Sequence, residues 1–201
     1  MPTRPFELTP AHCQQCFNAQ QPIPIRTGAK AGIAFDFPVG SRPPSGTWDK
    51  WVRYVQCANP LKRPISGKNL VFEFQVQADP SVEFNWISEG VNNPPDFPAG
   101  VTALLKAGPM DNDNVGSLRW FSLQRWVLVN SGLVTFSIPL DPASWFGVNG
   151  EDPAAFKAGK DFQAALKCPS FVSLVFGGCY RGHGVNATGP ASFNWFDVHV
   201  E

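Results

Sequence analysis

The chain has 201 residues, enough for one domain with a core of its own. Its 16 basic and 16 acidic residues cancel, and charged residues are only 16% of the chain, which excludes a protein built to neutralise phosphates. With 43% hydrophobic residues it is not a charge-driven disordered chain, and 18 Gly with 20 Pro are too many for a helical bundle.

In chain order, residues 1–30 read as an N-terminal arm. The start, MPTRPFELTPAH, lacks the apolar stretch of a signal peptide, so the chain is expected to be made in the cytoplasm. No window approaches the ~18 apolar residues of a membrane span. Thr9-Pro10 has the order of an N-cap followed by the first helical position, which predicts a short helix carrying Cys13 and Cys16 on one face. A sandwich is expected over 31–201. Ile33, Phe35 and Phe37 alternate with other residues up to Pro38, a first strand. A weaker strand follows at 50–56.

The strongest alternation is at 70–78, LVFEFQVQA, with Phe72, Phe74 and Val76 on one face and Glu73, Gln75 and Gln77 on the other. Strands are predicted again at 82–86, 101–106, 123–129, 134–140, 172–176 and 193–200. Turn chemistry separates them, as at Ile65-Ser66-Gly67-Lys68-Asn69 and Asn130-Ser131-Gly132. Asp152-Pro153 and Asp161 are start signals for one or two short helices over 152–167. About nine strands without βαβ alternation predict an all-β, antiparallel β-sandwich, jelly-roll-like.

Two stretches resemble a known family. Residues 64–78, PISGKNLVFEFQVQA, are similar to the glycine-then-alternating-aromatic strand of galactose-binding-like and carbohydrate-binding-module jelly rolls. Residues 191–201, ASFNWFDVHVE, resemble their closing strand. Trp48 to Val55 falls where such domains carry the preceding strand, and the resemblance in strand order runs from about Ile33 to Glu201. It implies a binding module with a glycan ligand. Similar sandwiches occur in phage virion proteins of the tail and capsid surface.

Enzymatic constellations are missing from the sequence: there is no G-x-S-x-G, H-E-x-x-H or Walker motif and no acidic pair at glycosidase spacing. A non-enzyme is therefore expected, with a hydrolase of dispersed site as a minor alternative. No cofactor is implied. Asp111 and Asp113, in DNDN, offer oxygens for a structural calcium, against the simpler expectation of a polar turn. The glycine run from Gly177 to Gly184 reads as a loop or bulge needing positive φ, with His183 accessible to a ligand.

Five cysteines, an odd number, leave at least one thiol free or paired between chains. Cys13 and Cys16 are the disulfide candidate, with a redox dithiol, a zinc site and plain thiols as alternatives.

Seven tryptophans suggest sugar stacking, set against the ordinary use of large aromatics as core. If Phe196, Val198 and Val200 face the core, then Phe193, Trp195, Asp197 and His199 face outward, with Gln75 and Gln77 beside them. These residues and His183 form the expected ligand site. The expected partner is a glycan or, as the alternative, other virion proteins around a capsid-decorating or tail-associated structural protein. In that alternative the protein functions outside the cell as part of a virion, as a homo-oligomer or through an interchain disulfide. Nucleic acid and membrane insertion are not expected.

Overall fold

The computed structural model describes residues 4, 6, 8–11, 13–16, 26–28, 32–40, 51–52, 54–59, 63–88, 91–92, 98–107, 119–148, 156–178 and 184–201. Among them the strands run, in chain order, β1 (Cys13–Cys16), β2 (Arg26–Thr27), β3 (Ile33–Asp36), β4 (Tyr54–Ala58), β5 (Asn69–Ala78), β6 (Phe84–Ser88) and β7 (Val91–Asn92). They continue with β8 (Gly100–Lys106), β9 (Arg119–Val127), β10 (Val134–Pro139), β11 (Trp145–Gly147), β12 (Phe171–Gly177), β13 (Val185–Ala187) and β14 (Ala191–Val200). One helix, α1, spans Phe156–Lys167.

The expected all-β sandwich forms. One sheet has the order β10-β5-β14-β3-β2 and the other β1-β4-β12-β8-β9-β11, with antiparallel neighbours throughout. A small third sheet, β13-β6-β7, lies beside them. Successive strands often change sheet, as in β4 to β5 and β9 to β10 to β11, the jelly-roll-like pattern of connections.

Alternation fixes which faces meet. Phe72, Phe74 and Val76 of β5 are buried, as are Phe136 and Ile138 of β10 and Val172, Leu174 and Phe176 of β12. Phe193 sits at the centre of the aromatic core. It stacks on Phe35 at 5.4 Å and Phe74 at 5.0 Å within its sheet, and meets Phe176 of the opposite sheet edge-on at 5.3 Å. Each such ring contributes roughly 1.5–3 kcal/mol through burial alone. Trp86 packs flat on Gly178, where any Cβ would overlap the indole, so this glycine is required for close approach rather than for its backbone angle. Gly184, at φ 112°, is the described residue of the glycine run that does need positive φ.

Two expectations are corrected here. The first concerns the arm. Thr9-Pro10 does start a turn, closed by the Cys13 N–H donating to the Thr9 carbonyl at 2.9 Å, but the chain then extends as β1 instead of continuing as a helix. The helix face that would have brought Cys13 and Cys16 together is therefore not formed. Cys13 instead stands directly opposite Cys57 of β4, 4.1 Å away between Cα atoms, and forms a disulfide with it. The second concerns 152–167, where a single helix includes Asp161 rather than being capped by it. Phe162, Ala165 and Leu166 are its buried stripe, and Phe162 packs on Trp120 and Trp145.

β9 bulges against β8, three residues opposing one between the Thr102 and Leu104 registers. Ser122, fully buried, holds the bulge by accepting from the Ala103 N–H at 3.0 Å and donating to the Gln124 carbonyl at 2.7 Å. No helix among the described residues is long and apolar enough to cross a membrane.

Candidate functional site

The outer face of the five-stranded sheet carries the polar half of the alternation. β14 runs down its middle, between β3 and β5. Its Ser192 stands opposite Asp36 on one side and Gln77 on the other, and Asn194 stands opposite Ala34 and Gln75. The Gln77 Oε1 accepts from Ser192 Oγ at 3.4 Å and from Asn194 Nδ2 at 3.3 Å. With its carbonyl engaged, Gln77 turns its amide N–H groups to donate elsewhere.

A depression of about 330 Å³ opens at this end of the face, lined by Asp36, Phe37, Val39, Gln77, Pro190, Ala191 and Ser192. Carboxylate, amide and hydroxyl thus lie against an apolar wall in which Val39 is 57% exposed. This is the mixture that a ligand with both hydroxyls and C–H faces requires.

Further along β14 the alternation changes phase. The register passes from Trp195↔Phe74 to Asp197↔Glu73, which leaves Phe196 as an extra residue in a β-bulge. Gly32, at φ 76°, lies against the bulge, and a Cβ there would overlap the Trp195 carbonyl oxygen. Before the bulge Phe193 and Trp195 point inward; after it Val198 and Val200 do.

Phe193 and Trp195 are therefore core residues, not ligand contacts, because the outward phase read from the end of the strand does not extend back through the bulge. Of the other tryptophans, Trp51, Trp86, Trp120 and Trp145 are also buried, and Trp126 is half-buried with its ring edge-on to Phe74 at 5.2 Å. Trp48 lies outside the described residues.

Asp197 and His199 do lie on the outer face. Asp197 accepts two hydrogen bonds from Arg4 Nε, at 3.2 and 3.1 Å, and forms an ion pair with it at 3.0 Å. His199, 8% exposed, contacts the same carboxylate through Nδ1 at 3.1 Å. The hydrogen bond to Asp197, then the charge of that carboxylate, hold the Arg4 guanidinium charged beyond its ordinary range. Gln75 is half-buried beside Asn194, and Gln77 is exposed.

His183, Asp111 and Asp113 lie outside the described residues. Among those described, no group of three or more His, Cys, Asp or Glu is placed to hold a metal ion.

At the β5–β6 turn, Asp79 Oδ1 accepts from the Ser81 hydroxyl at 2.6 Å and its N–H at 2.9 Å, which keeps the carboxyl below its usual range.

The sequence analysis missed Ser192, Asn194 and Asp36, because the wrong phase for 193–195 turned Ser192 and Asn194 inward. It also missed Arg4, which meets Asp197 across 193 positions of chain. No family model, curated protein or solved structure matches the chain.

Proposed function

We propose that this protein is a non-enzymatic binding module that takes a glycan on the outer face of its five-stranded sheet, centred on Gln77. The observation that carries this is the pre-set amide: Ser192 and Asn194 engage the Gln77 carbonyl beside Asp36 and the apolar wall of Val39 and Pro190. Sugar hydroxyls would bond the amide and carboxylate while ring C–H groups lie on the aliphatic wall. The resemblance to carbohydrate-binding jelly rolls agrees with this use, and stacking on Trp195 is no part of it.

His199 and Asp197 do not make a catalytic pair in this proposal, since no hydroxyl or thiol nucleophile is bonded to His199 among the described residues. No cofactor is assigned. Binding of oligosaccharides by calorimetry tests the proposal. Gln77→Ala is expected to weaken binding roughly tenfold by removing a hydrogen bond at the centre of the site, with an unchanged melting temperature. Equal affinity of Gln77→Ala and the wild type would move the ligand elsewhere.

A virion structural role is the second proposal, favoured by a different surface. Leu123, Val127, Val129 and Leu133 are 40–64% exposed within eleven residues of chain. Among the described residues, β11 pairs with β9 only as far as Ser122, so the later half of β9 is a sheet edge that bears Leu123 and Val127, and Val129 and Leu133 follow in the connection to β10. Cys168 has a free, exposed thiol available to an interchain bond. The buried Cys13–Cys57 disulfide suits a working place outside the reducing cytoplasm. Val129→Asp with Leu133→Asp is expected to abolish concentration-dependent association in sedimentation velocity. A wild-type protein that remains monomeric at all concentrations would remove this alternative.

A further inference from the structure

A strand at the end of a sheet shows half of its backbone N–H and C=O groups to whatever lies beside it, and soluble proteins guard such an edge with charge, brevity or proline. The five-stranded sheet ends on β2 and on β10. β2 is two residues long and carries Arg26. β10 is six residues long, VTFSIP, rich in the residue types that favour strands, and no side chain from Trp126 to Leu140 is charged. Among the described residues no strand pairs with its far edge.

Register determines which groups face that way. The Leu140 N–H donates to the Lys68 carbonyl at 2.8 Å, directly beyond the Ile138↔Leu70 and Pro139↔Asn69 positions. Residues of the same parity, Val134, Phe136 and Ile138, therefore direct their backbone groups to β5, and Thr135, Ser137 and Pro139 present theirs outward. Asn69 agrees from the other side, because it exchanges its N–H and carbonyl with Glu201 and not with Pro139. Pro139 closes its end of the edge: it has no N–H, and the Trp145 indole donates to its carbonyl at 2.7 Å. Thr135, exposed, and Ser137, half-buried, keep the outward groups of the strand.

We infer that β10 pairs edge to edge with β10 of a second copy of this chain, antiparallel about a two-fold axis at Phe136. This register sets Thr135 directly opposite Ser137 of the second copy, so that both residues exchange N–H and C=O bonds and their hydroxyls lie side by side. Leu133, 64% exposed, comes to lie against Pro139 of the second copy, an apolar contact at each end. Moving the axis to Ser137 would set Thr135 against Pro139, which has no N–H to donate. Moving it to Thr135 would place Leu133 over the Ser137 hydroxyl. The edge is thus complementary to itself in one register, which favours a second copy over an unrelated strand. The inference rests on the association proposed for the exposed apolar stretch and names how two copies join.

The test follows the full chain from micromolar to millimolar concentration by sedimentation velocity and by amide exchange at single residues. The Thr135 and Ser137 amides are expected to exchange freely in the monomer and to gain protection as association proceeds, while those of Phe136 and Ile138 are protected throughout. Ser137→Pro removes an outward donor without removing a bond to β5 and should weaken association roughly tenfold or more. Thr135→Lys should weaken it by a similar factor through charge on the edge. Mixing Thr135→Lys with Ser137→Glu should restore pairing, because the introduced charges then stand directly opposite one another. Thermal melts show whether each variant keeps the fold, and Thr135→Lys, at an exposed position, serves where Ser137→Pro disturbs the strand.

Association that survives both Ser137→Pro and Thr135→Lys yet is lost on Val129→Asp with Leu133→Asp overturns the inference and leaves the apolar stretch as the contact. Protection of the Thr135 and Ser137 amides in the monomer overturns it as well, since the edge is then already covered. A wild type that stays monomeric up to millimolar concentration removes both the inference and the association on which it rests.

Discussion

Trp195→Ala is expected to destabilise the whole sandwich. The side chain is 1% exposed, its ring centroid lies 5.8 Å from that of Phe72, and its indole N–H donates to the Asp197 carbonyl at 2.9 Å. Deleting a buried tryptophan of this kind costs about 3–5 kcal/mol in lost burial and residual cavity, and losing the hydrogen bond adds about 1 kcal/mol. For a chain of this size each kcal/mol lowers the melting point by about 2–4 °C, so a fall of about 10–20 °C is expected by calorimetry. The bulge is fixed by the same indole bond, so Asp197 and Arg4 should lose their geometry together, seen as loss of protection of the β14 amides in hydrogen exchange. A variant that melts with the wild type yet no longer binds glycan would put the indole at the ligand after all.

The second large effect belongs to the arm. Replacing Cys13 and Cys57 together by serine is expected to cost about 4 kcal/mol, the chain entropy regained when a cross-link spanning 44 residues is removed from the unfolded state. The urea midpoint should fall and the m-value rise, since an unlinked chain exposes more surface on unfolding. Among the described residues β1 pairs with β4, at the edge of its sheet, and it should become the first segment to exchange its amides. Cys168→Ser, at an exposed free thiol, should leave the midpoint unchanged. An unchanged midpoint in the double variant, or a tryptic peptide linking Cys13 to Cys16, would contradict the pairing. A Cys13–Cys16 bond would close a far shorter loop and contribute only about 2 kcal/mol, so the size of the effect also separates the two pairings.

The two proposals for function make different demands on these variants. Glycan binding at Gln77 needs that amide and is read by calorimetry. Association through the apolar stretch from Leu123 to Leu133 needs Val129 and Leu133 and is read by sedimentation. A panel of Gln77→Ala, the paired aspartates at 129 and 133, and all three together assigns each surface by its own readout, and the triple variant is needed because Asn130 and Ser131 bond the β5 backbone on either side of Gln77 and the two surfaces can couple.

Much of the fold was legible because a sheet face repeats every two residues and a buried face must be apolar. Phe72-Glu73-Phe74-Gln75-Val76-Gln77 states which side of β5 meets the core, and the described structure follows it. The same rule identified Gln77 as a surface group, and the turn residues placed most strand boundaries within a few positions. What alternation cannot show is a change of its own phase. The bulge at Phe196 exists because β14 must satisfy the registers of β5 on either side of it, and Gly32 gives it room. That one residue moved Phe193 and Trp195 into the core and turned Ser192, half-buried, to the outer face in their place.

Sequence spacing also misjudged what lies far apart. Cys13 meets Cys57, and Arg4 meets Asp197, only once strands from distant parts of the chain are aligned. Local periodicity and turn chemistry suffice to specify a two-sided, strand-rich chain with an apolar interior. Which residues became neighbours on the outer skin was decided by tertiary structure, because strand register is set by packing across the whole sandwich and not by any short stretch of it.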